Sequence, residues 1–413
     1  MDSQTQTPSS TTPNYPIPKG CHAIPLSDLD LRPDSEIDVA ILNPPPLTPS
    51  SSQKNAWFYW STGYESMHPY TKRNIRAWHR RFSKFGWTVR VLDRKAGSPT
   101  NVEHFLDTKD PATFPKAFID GRVGGEFGAQ HTSDLVRFPL MLKYGGVYAD
   151  VGMLQIGNLD AMWKKTIGDP DSRYDVLSYN CGGVNERSLA NYFMACGKNN
   201  PFFDRCHRML LELWNADGGK MTTEGMHASP LLSGIPLMGS DSRFSLEQQK
   251  ELTDYITQGH VITAVMGLVD KEGDWNGPQY VVDHIYGIEY MVGSQLINEY
   301  TAWDGHKAFK LMSLPLPKEG EVESEEQKQA REIVEGCLSR SFGFKLAHGI
   351  ILRFIGETLG SLWRENEGSD DVPGTYGHWL RYGMIHWDQD VLLETQKYTE
   401  REPTRVGPLL REA

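Results

Sequence analysis

The first strongly apolar run is AWFYW, Ala56–Trp60, closed by Ser-Thr-Gly. An unbroken apolar and aromatic run ending in a turn predicts a strand buried on both faces. From His68 to Phe85 the apolar positions take helical spacing, with Ile75, Trp78 and Phe82 on one face. WTVRVLD, Trp87–Asp93, alternates and predicts a second strand. Strand, helix, strand in this order predicts a parallel βαβ unit. Such sheets gather ligands at the carboxyl ends of their strands, here Trp60–Gly63 and Leu92–Asp93. Further on, Thr132–Lys143 predicts a helix stopped by Gly145-Gly146, and Val147–Asp150 a short third strand. Val176–Asn180 reads as another strand, Glu186–Ala195 as a helix and Pro201–Trp214 as a strongly amphipathic helix. Phe342–Trp363 reads as an apolar helical stretch that packs in the core.

Around these elements lie polar segments. Residues 1–20 are rich in Ser, Thr and Pro, and NPPPLTPSSSQKN, Asn43–Asn55, reads as a surface linker. The expected division is an irregular or disordered 1–55, an ordered core over 56–215, and a further region over 216–413 in the same domain. EGEVESEEQKQ, Glu319–Gln329, is a solvated charged segment. No internal repeat is present.

Composition narrows the function. A net charge of −11, from 42 basic and 53 acidic residues, lacks the basic footprint of a general nucleic-acid binder. Any phosphate ligand must therefore be met locally, by Arg, Lys, backbone amides or a metal ion. The five cysteines include no CxxC pair, which argues for buried thiols rather than a disulfide framework or zinc site. The N-terminus lacks the basic and apolar regions of a secretory signal, and no run of 18 apolar residues predicts a membrane span. A cytoplasmic address is expected.

The chemistry concentrates in HTSDLVRFPLMLKYGGVYADVGM, His131–Met153. Asp134 and Arg137, three apart, share a helix face. The glycine pair turns the chain into a strand that ends on Tyr148 and Asp150, and a carboxylate at a strand end requires a cation, a hydroxyl or a basic neighbour. This order of Asp, Arg, Gly-Gly, Tyr and Asp resembles the DXD region of glycosyltransferases of the Och1 type, of toxins that glucosylate small GTPases, and above all of capsular-polysaccharide-synthesis-like proteins. The opening from Ala56 to Asp93 and the segment GTYGHWLRYGMIHW, Gly374–Trp387, are similar to that family too.

The resemblance implies an α/β, GT-A-like fold, a Rossmann-like mixed sheet flanked by helices with helical C-terminal additions. It implies transfer of a hexosyl group from a nucleotide-diphosphate sugar, a UDP- or GDP-sugar, with retention. By position it places Asp134 on the donor sugar hydroxyls, Arg137 on the sugar or diphosphate, and Asp150 at the ribose, sugar and metal. Tyr148 lies beside the donor, Trp57 or Trp60 stacks on the base with Thr62 nearby, Asp93 reaches base or ribose, and Asn191 sits near the reacting centre. His378 and Trp379 belong to a lid over the diphosphate. The second acid of the motif is Gly152, so the order is Asp-Val-Gly. Three readings follow: Mn²⁺ or Mg²⁺ is held by Asp150 with a C-terminal residue such as His386 or His378; Arg137 and backbone donors serve without metal; or the protein is a catalytically inactive sugar-nucleotide binder. A carbohydrate-binding module is disfavoured by the absence of a β-rich pattern. The expected acceptor is a small molecule, lipid-like, or a glycan precursor, and His348 is expected to be structural.

Overall fold

The computed structural model describes residues 14–48, 51–182, 188–239 and 244–410. Its centre is a six-stranded mixed sheet, in agreement with the expected α/β, GT-A-like class. In chain order the strands are β1 (Asn55–Tyr59), β2 (Thr88–Leu92), β3 (Gly146–Ala149), β5 (Val176–Asn180), β6 (Leu189–Cys196) and β7 (Ile285–Glu289), with a short β4 (Met153–Gln155) outside this sheet. Their spatial order is β7-β5-β6-β3-β1-β2, and only β6 runs antiparallel to its neighbours.

Both faces are covered, so the strands read as continuous apolar runs. Trp57, Tyr59, Tyr148 and Met194 point to one face, packed by α3 (Gly128–Tyr144), α5 (Pro201–Asn215) and α6 (Thr257–Met266). Phe58, Val147, Ala149 and Phe193 point to the other, packed by α1 (Asp34–Leu42), α2 (Pro69–Phe82) and α4 (Leu159–Lys165). A third cluster joins the C-terminal helices α7 (Glu325–Arg340), α8 (Leu359–Glu365) and α9 (Tyr376–His386) to Tyr70 and Ala77 of α2.

The glycine pair is required by its surroundings. Gly145 and Gly146 have φ of 67° and 105°, and a Cβ on Gly146 would lie 2.3 Å from the Asn55 carbonyl oxygen. This close crossing delivers α3 into β3 beside β1.

Four expectations change. Leu189–Cys196 is a strand, not part of a helix over Glu186–Ala195, because it pairs with β3 on one side and β5 on the other; such pairing overrides local helix propensity. Glu186 itself lies outside the described residues. Within the segment expected to be irregular up to residue 55, α1 forms and buries Ile37 and Ile41. Phe342–Trp363 is not one helix. It forms β8 (Gly343–Lys345), short turns and α8, broken at Gly349 and Gly356, whose φ values are 81° and 77°. Lastly, the segment expected as a lid forms α9, which packs on α2 and α7 with Trp379, Leu380, Arg381 and Met384 buried. Among the described residues no helix is long and apolar enough to cross a membrane.

Candidate active site

The parallel strands β1, β3 and β5 end on one edge, and the start of antiparallel β6 meets them there. The Asp150 backbone N–H donates to the Tyr192 carbonyl at 2.9 Å, which ties the end of β3 to the start of β6. Asp134 comes to the same place from α3.

Arg137 organises the cluster. Its Nη2 lies 2.9 Å from Asp134 Oδ1, 3.5 Å from Asp150 Oδ1 and 3.1 Å from Ser133 Oγ. Its Nη1 donates to the Asn191 carbonyl. Ser133 Oγ in turn meets the Tyr148 hydroxyl at 2.7 Å, and the guanidinium stands 4.7 Å from the Tyr148 ring centroid. Only 4% of the Arg137 side chain is exposed, against 14% for Asp134 and 30% for Asp150. Burial would weaken the Arg137 charge, but Asp134, Tyr148 and Asp150 outweigh it and raise its pKa. The guanidinium is thus a fixed internal counter-charge, and the carboxylates are the more exposed groups. Tyr148, expected beside the donor, instead supports Arg137 from below.

The third charged group is Lys345. β8 pairs antiparallel with β4, with Lys345 opposite Met153 and Phe344 opposite Leu154. This register places Lys345 Nζ 2.6 Å from Asp150 Oδ2 and 5.6 Å from the Tyr192 ring centroid. Burial pushes the Asp150 carboxyl up; Lys345 and Arg137 together outweigh that and hold it below the ordinary carboxylate value.

The other sequence candidates separate. Asn191 directs its side-chain amide to Gln258 Oε1 at 3.3 Å, and Gln258 Nε2 donates to the Asp134 carbonyl at 2.8 Å, so Asn191 stays beside the acids. Trp60 stands just beyond β1, partly buried and edge-on to His68 at 5.7 Å, and Thr62 follows in the exposed turn, hydrogen-bonded to Ser66 at 2.6 Å. Trp57 is a core residue: its ring is fully buried between Phe105 and Tyr144, and its indole N–H donates to the Gly145 carbonyl at 2.9 Å. Position along the strand explains the difference: both faces of the sheet are helix-covered, so Trp57 inside β1 is buried whereas Trp60 lies past the strand end. Asp93 is buried and organises its own loop, accepting from Ser98 at 2.7 Å, Thr100 at 2.9 Å and the Lys95 backbone N–H at 2.9 Å.

His378, Trp379 and His386 lie elsewhere, on the packed helix α9. His378 Nδ1 meets the Tyr15 hydroxyl at 2.6 Å, the Trp379 indole donates to the Pro16 carbonyl at 3.2 Å, and the His386 ring lies tilted against Tyr382, centroids 4.1 Å apart. The α9 helix acts on the site through a brace instead. Arg381 donates to Asn74 Oδ1 at 3.0 Å, and Asn74 Nδ2 donates to the carbonyl of Val151, between Asp150 and Gly152, at 2.9 Å.

The residues present do not fit a DXD metal ion. A Cβ on Gly152 would lie 2.8 Å from the Leu346 carbonyl oxygen, so the third motif position has no room for a carboxylate. The Lys345 ammonium already caps Asp150. Among the described residues no group of three or more His, Cys, Asp or Glu could hold a metal ion. The assignment of Asp150 and His386 as joint metal ligands is therefore not supported by their surroundings.

Sequence reasoning also passed over His131 and Tyr255 beside the acids, and it read His348 as structural. His131 Nδ1 stands 3.5 Å from Asp134 Oδ2. Tyr255 packs on His131 at 5.6 Å, and burial followed by the charges of Asp134 and Asp150 raises its hydroxyl pKa. His348 is reached by the Tyr70 hydroxyl at 2.5 Å, and burial, Lys345 and Arg364 push its pKa down to about 3. A single Lys inside the apolar run FGFKLAHG was the available signal for Lys345.

Comparison with known proteins finds glycosyltransferases. The family model described as capsular polysaccharide synthesis protein matches residues 30–221, which contain every strand edge named above except β7 and β8. Over 394 residues the chain is 33% identical to O-glycosyltransferase braB of Annulohypoxylon truncatum, covering 92% of this chain and 90% of that protein. The chain belongs to this glycosyltransferase family. The glycosyltransferase is also 30% identical to O-glycosyltransferase PaGT of Phomopsis amygdali, over 92% of this chain and 93% of the relative. To glycosyltransferase afumC of Aspergillus fumigatus it is 31% identical, over 88% and 90%.

Proposed function

We propose that this glycosyltransferase moves a hexosyl group from a nucleoside-diphosphate sugar to the hydroxyl oxygen of a small-molecule or lipid-like acceptor, with retention of anomeric configuration. The observation that carries the reading is the pair of partly exposed carboxylates, Asp134 and Asp150, held by the buried Arg137 at the carboxyl edge of the sheet. Carboxylates so placed accept hydrogen bonds from sugar and ribose hydroxyls, and their charge favours the positive charge that grows on the anomeric carbon. In a front-face transfer the anomeric carbon–oxygen bond breaks toward the diphosphate, the acceptor oxygen bonds to the anomeric carbon, and the hydroxyl proton passes to the departing phosphate oxygen. No protein base is then required. Trp60 suits the base, since it stands at the strand end where nucleotides bind.

Two features support the acceptor class. braB and PaGT are named O-glycosyltransferases, which favours transfer to oxygen. Partly exposed aromatic rings approach the acids, with Phe127 edge-on at 4.8 Å to Tyr255, whose hydroxyl lies within the field of Asp134 and Asp150, which favours an acceptor with an apolar body. The apolar residues of Phe342–Trp363, by contrast, are largely consumed in the core.

The test is a thermal-shift screen of UDP-glucose, UDP-N-acetylglucosamine and GDP-mannose, followed by mass spectrometry of the released nucleotide. One donor is expected to stabilise the protein and to be turned over. If no nucleotide sugar raises the melting temperature, the reading fails.

A further inference from the structure

Lys345 occupies a position that no motif assigns. Its ammonium caps the Asp150 carboxylate at 2.6 Å, on a strand whose register is fixed by β4 pairing and by the Leu346 N–H donating to the Gly152 carbonyl at 2.9 Å. A one-residue slip would turn it to the opposite face. The same Leu346 carbonyl that closes the third motif position lies one residue from that lysine, and Lys345 Nζ itself is 3.6 Å from where a Gly152 Cβ would stand. The exchange balances in charge. Two carboxylates and a divalent ion sum to zero; one carboxylate, a glycine and a lysine also sum to zero.

We infer that Lys345 is the cation that binds the donor diphosphate, in the place a DXD metal ion would take, and that this glycosyltransferase transfers sugar without a divalent metal. The inference rests on the nucleotide-sugar reading above.

The surroundings carry the diphosphate from base to sugar. Trp60 packs edge-on to His68 at 5.7 Å, His68 stacks on Tyr70 at 6.1 Å, and the Tyr70 hydroxyl reaches His348, three residues beyond Lys345. Arg364 of α8 is exposed and within electrostatic reach of both His68 and His348, and among the described residues no carboxylate pairs with it. The aromatic wall is thus flanked by Arg364 and by Lys345, and Lys345 ends at Asp150. As the glycosidic bond breaks, the electron pair and the acceptor proton go to the phosphate oxygen. Lys345 keeps its proton throughout and supplies charge-assisted hydrogen bonds to the growing negative charge.

The test is calorimetric titration of the full-length protein with UDP and with GDP, in excess EDTA and then in Mn²⁺. The wild type is expected to bind one of the two in EDTA with affinity unchanged by Mn²⁺. Lys345→Met is expected to weaken that affinity roughly 10- to 150-fold, the equivalent of about 1.5–3 kcal/mol for a charge-assisted bond, and Lys345→Arg to recover most of it. Lys345→Met/Asp150→Asn separates ligand binding from simple neutralisation: binding is expected to stay weak. Binding that requires Mn²⁺, or is restored in the double variant, overturns the inference. Binding of neither nucleotide under any condition overturns instead the nucleotide-sugar reading beneath it.

Discussion

Restoring the second acid of the motif is the perturbation whose outcome the structure dictates most tightly. In Gly152→Asp the new Cβ meets the Leu346 carbonyl at 2.8 Å, a backbone atom that cannot rotate away. Relief requires β8 to separate from the motif loop, with loss of the Leu346 N–H to Gly152 carbonyl bond. Overpacking of this kind costs about 1–3 kcal/mol, and the hydrogen bond adds about 1 kcal/mol, so the variant loses about 2–4 kcal/mol of stability. Gly152→Ala carries the same Cβ without the charge and is expected to lose nearly as much. Urea denaturation of both variants measures the loss. Nucleotide titration then measures the consequence: the added carboxylate competes for Lys345, so donor affinity falls and Mn²⁺ does not restore it. A Gly152→Asp protein as stable as wild type, with turnover newly stimulated by Mn²⁺, would refute the reasoning from steric closure.

Three other outcomes follow from named contacts. Arg381→Met leaves the fully buried Asp370 with Arg73 alone and unties Asn74 from α9; calorimetric unfolding is expected to show a loss of about 3 kcal/mol, the low end for breaking a buried pair, and a variant within 0.5 kcal/mol of wild type contradicts the brace. Trp60→Ala is expected to weaken donor binding by about 1–3 kcal/mol, the scale of one base stack, with little loss of stability, whereas Trp57→Ala is expected to unfold the protein more easily by about 3–5 kcal/mol; titration and denaturation of the pair check both. Burial holds His207 near 4, His348 near 3 and His386 near 4, all below the ordinary 6.5. The unfolded chain therefore takes up protons first as pH falls, so this stability is complete above 6.5 and declines progressively below it toward the folded values; melting temperatures constant from roughly pH 7 to pH 4 would contradict it.

Much of the site was legible because it is local. Asp134, Arg137, the glycine pair and Asp150 fall within one helix–turn–strand unit, and their spacing alone brings them to one edge. The β1–α2–β2 unit was legible for the same reason. What was missed depends on distant pairing. Leu189–Cys196 carries a helix-compatible composition and becomes a strand only between β3 and β5. Lys345 reaches Asp150 through a register between segments nearly two hundred positions apart, which no local pattern encodes. The His- and Trp-rich α9 was read as a lid because its residue types suit ligands; its spacing, with Trp379, Leu380 and Met384 along one side, is that of a packed helix. Trp57 and Trp60 are sorted by where the strand ends, which the apolar run Ala56–Trp60 does not mark.

The central claim is that the partly exposed Asp150, set between Arg137 and Lys345, serves sugar transfer from a nucleotide donor. The most direct measurement is release of nucleoside diphosphate by wild type and Asp150→Asn, in EDTA, from the donor that the thermal-shift screen identifies. The account predicts turnover by the wild type and a fall of about 10²-fold or more in the variant, the scale of one lost electrostatic contact to a transition state. Equal release by the two proteins would contradict it.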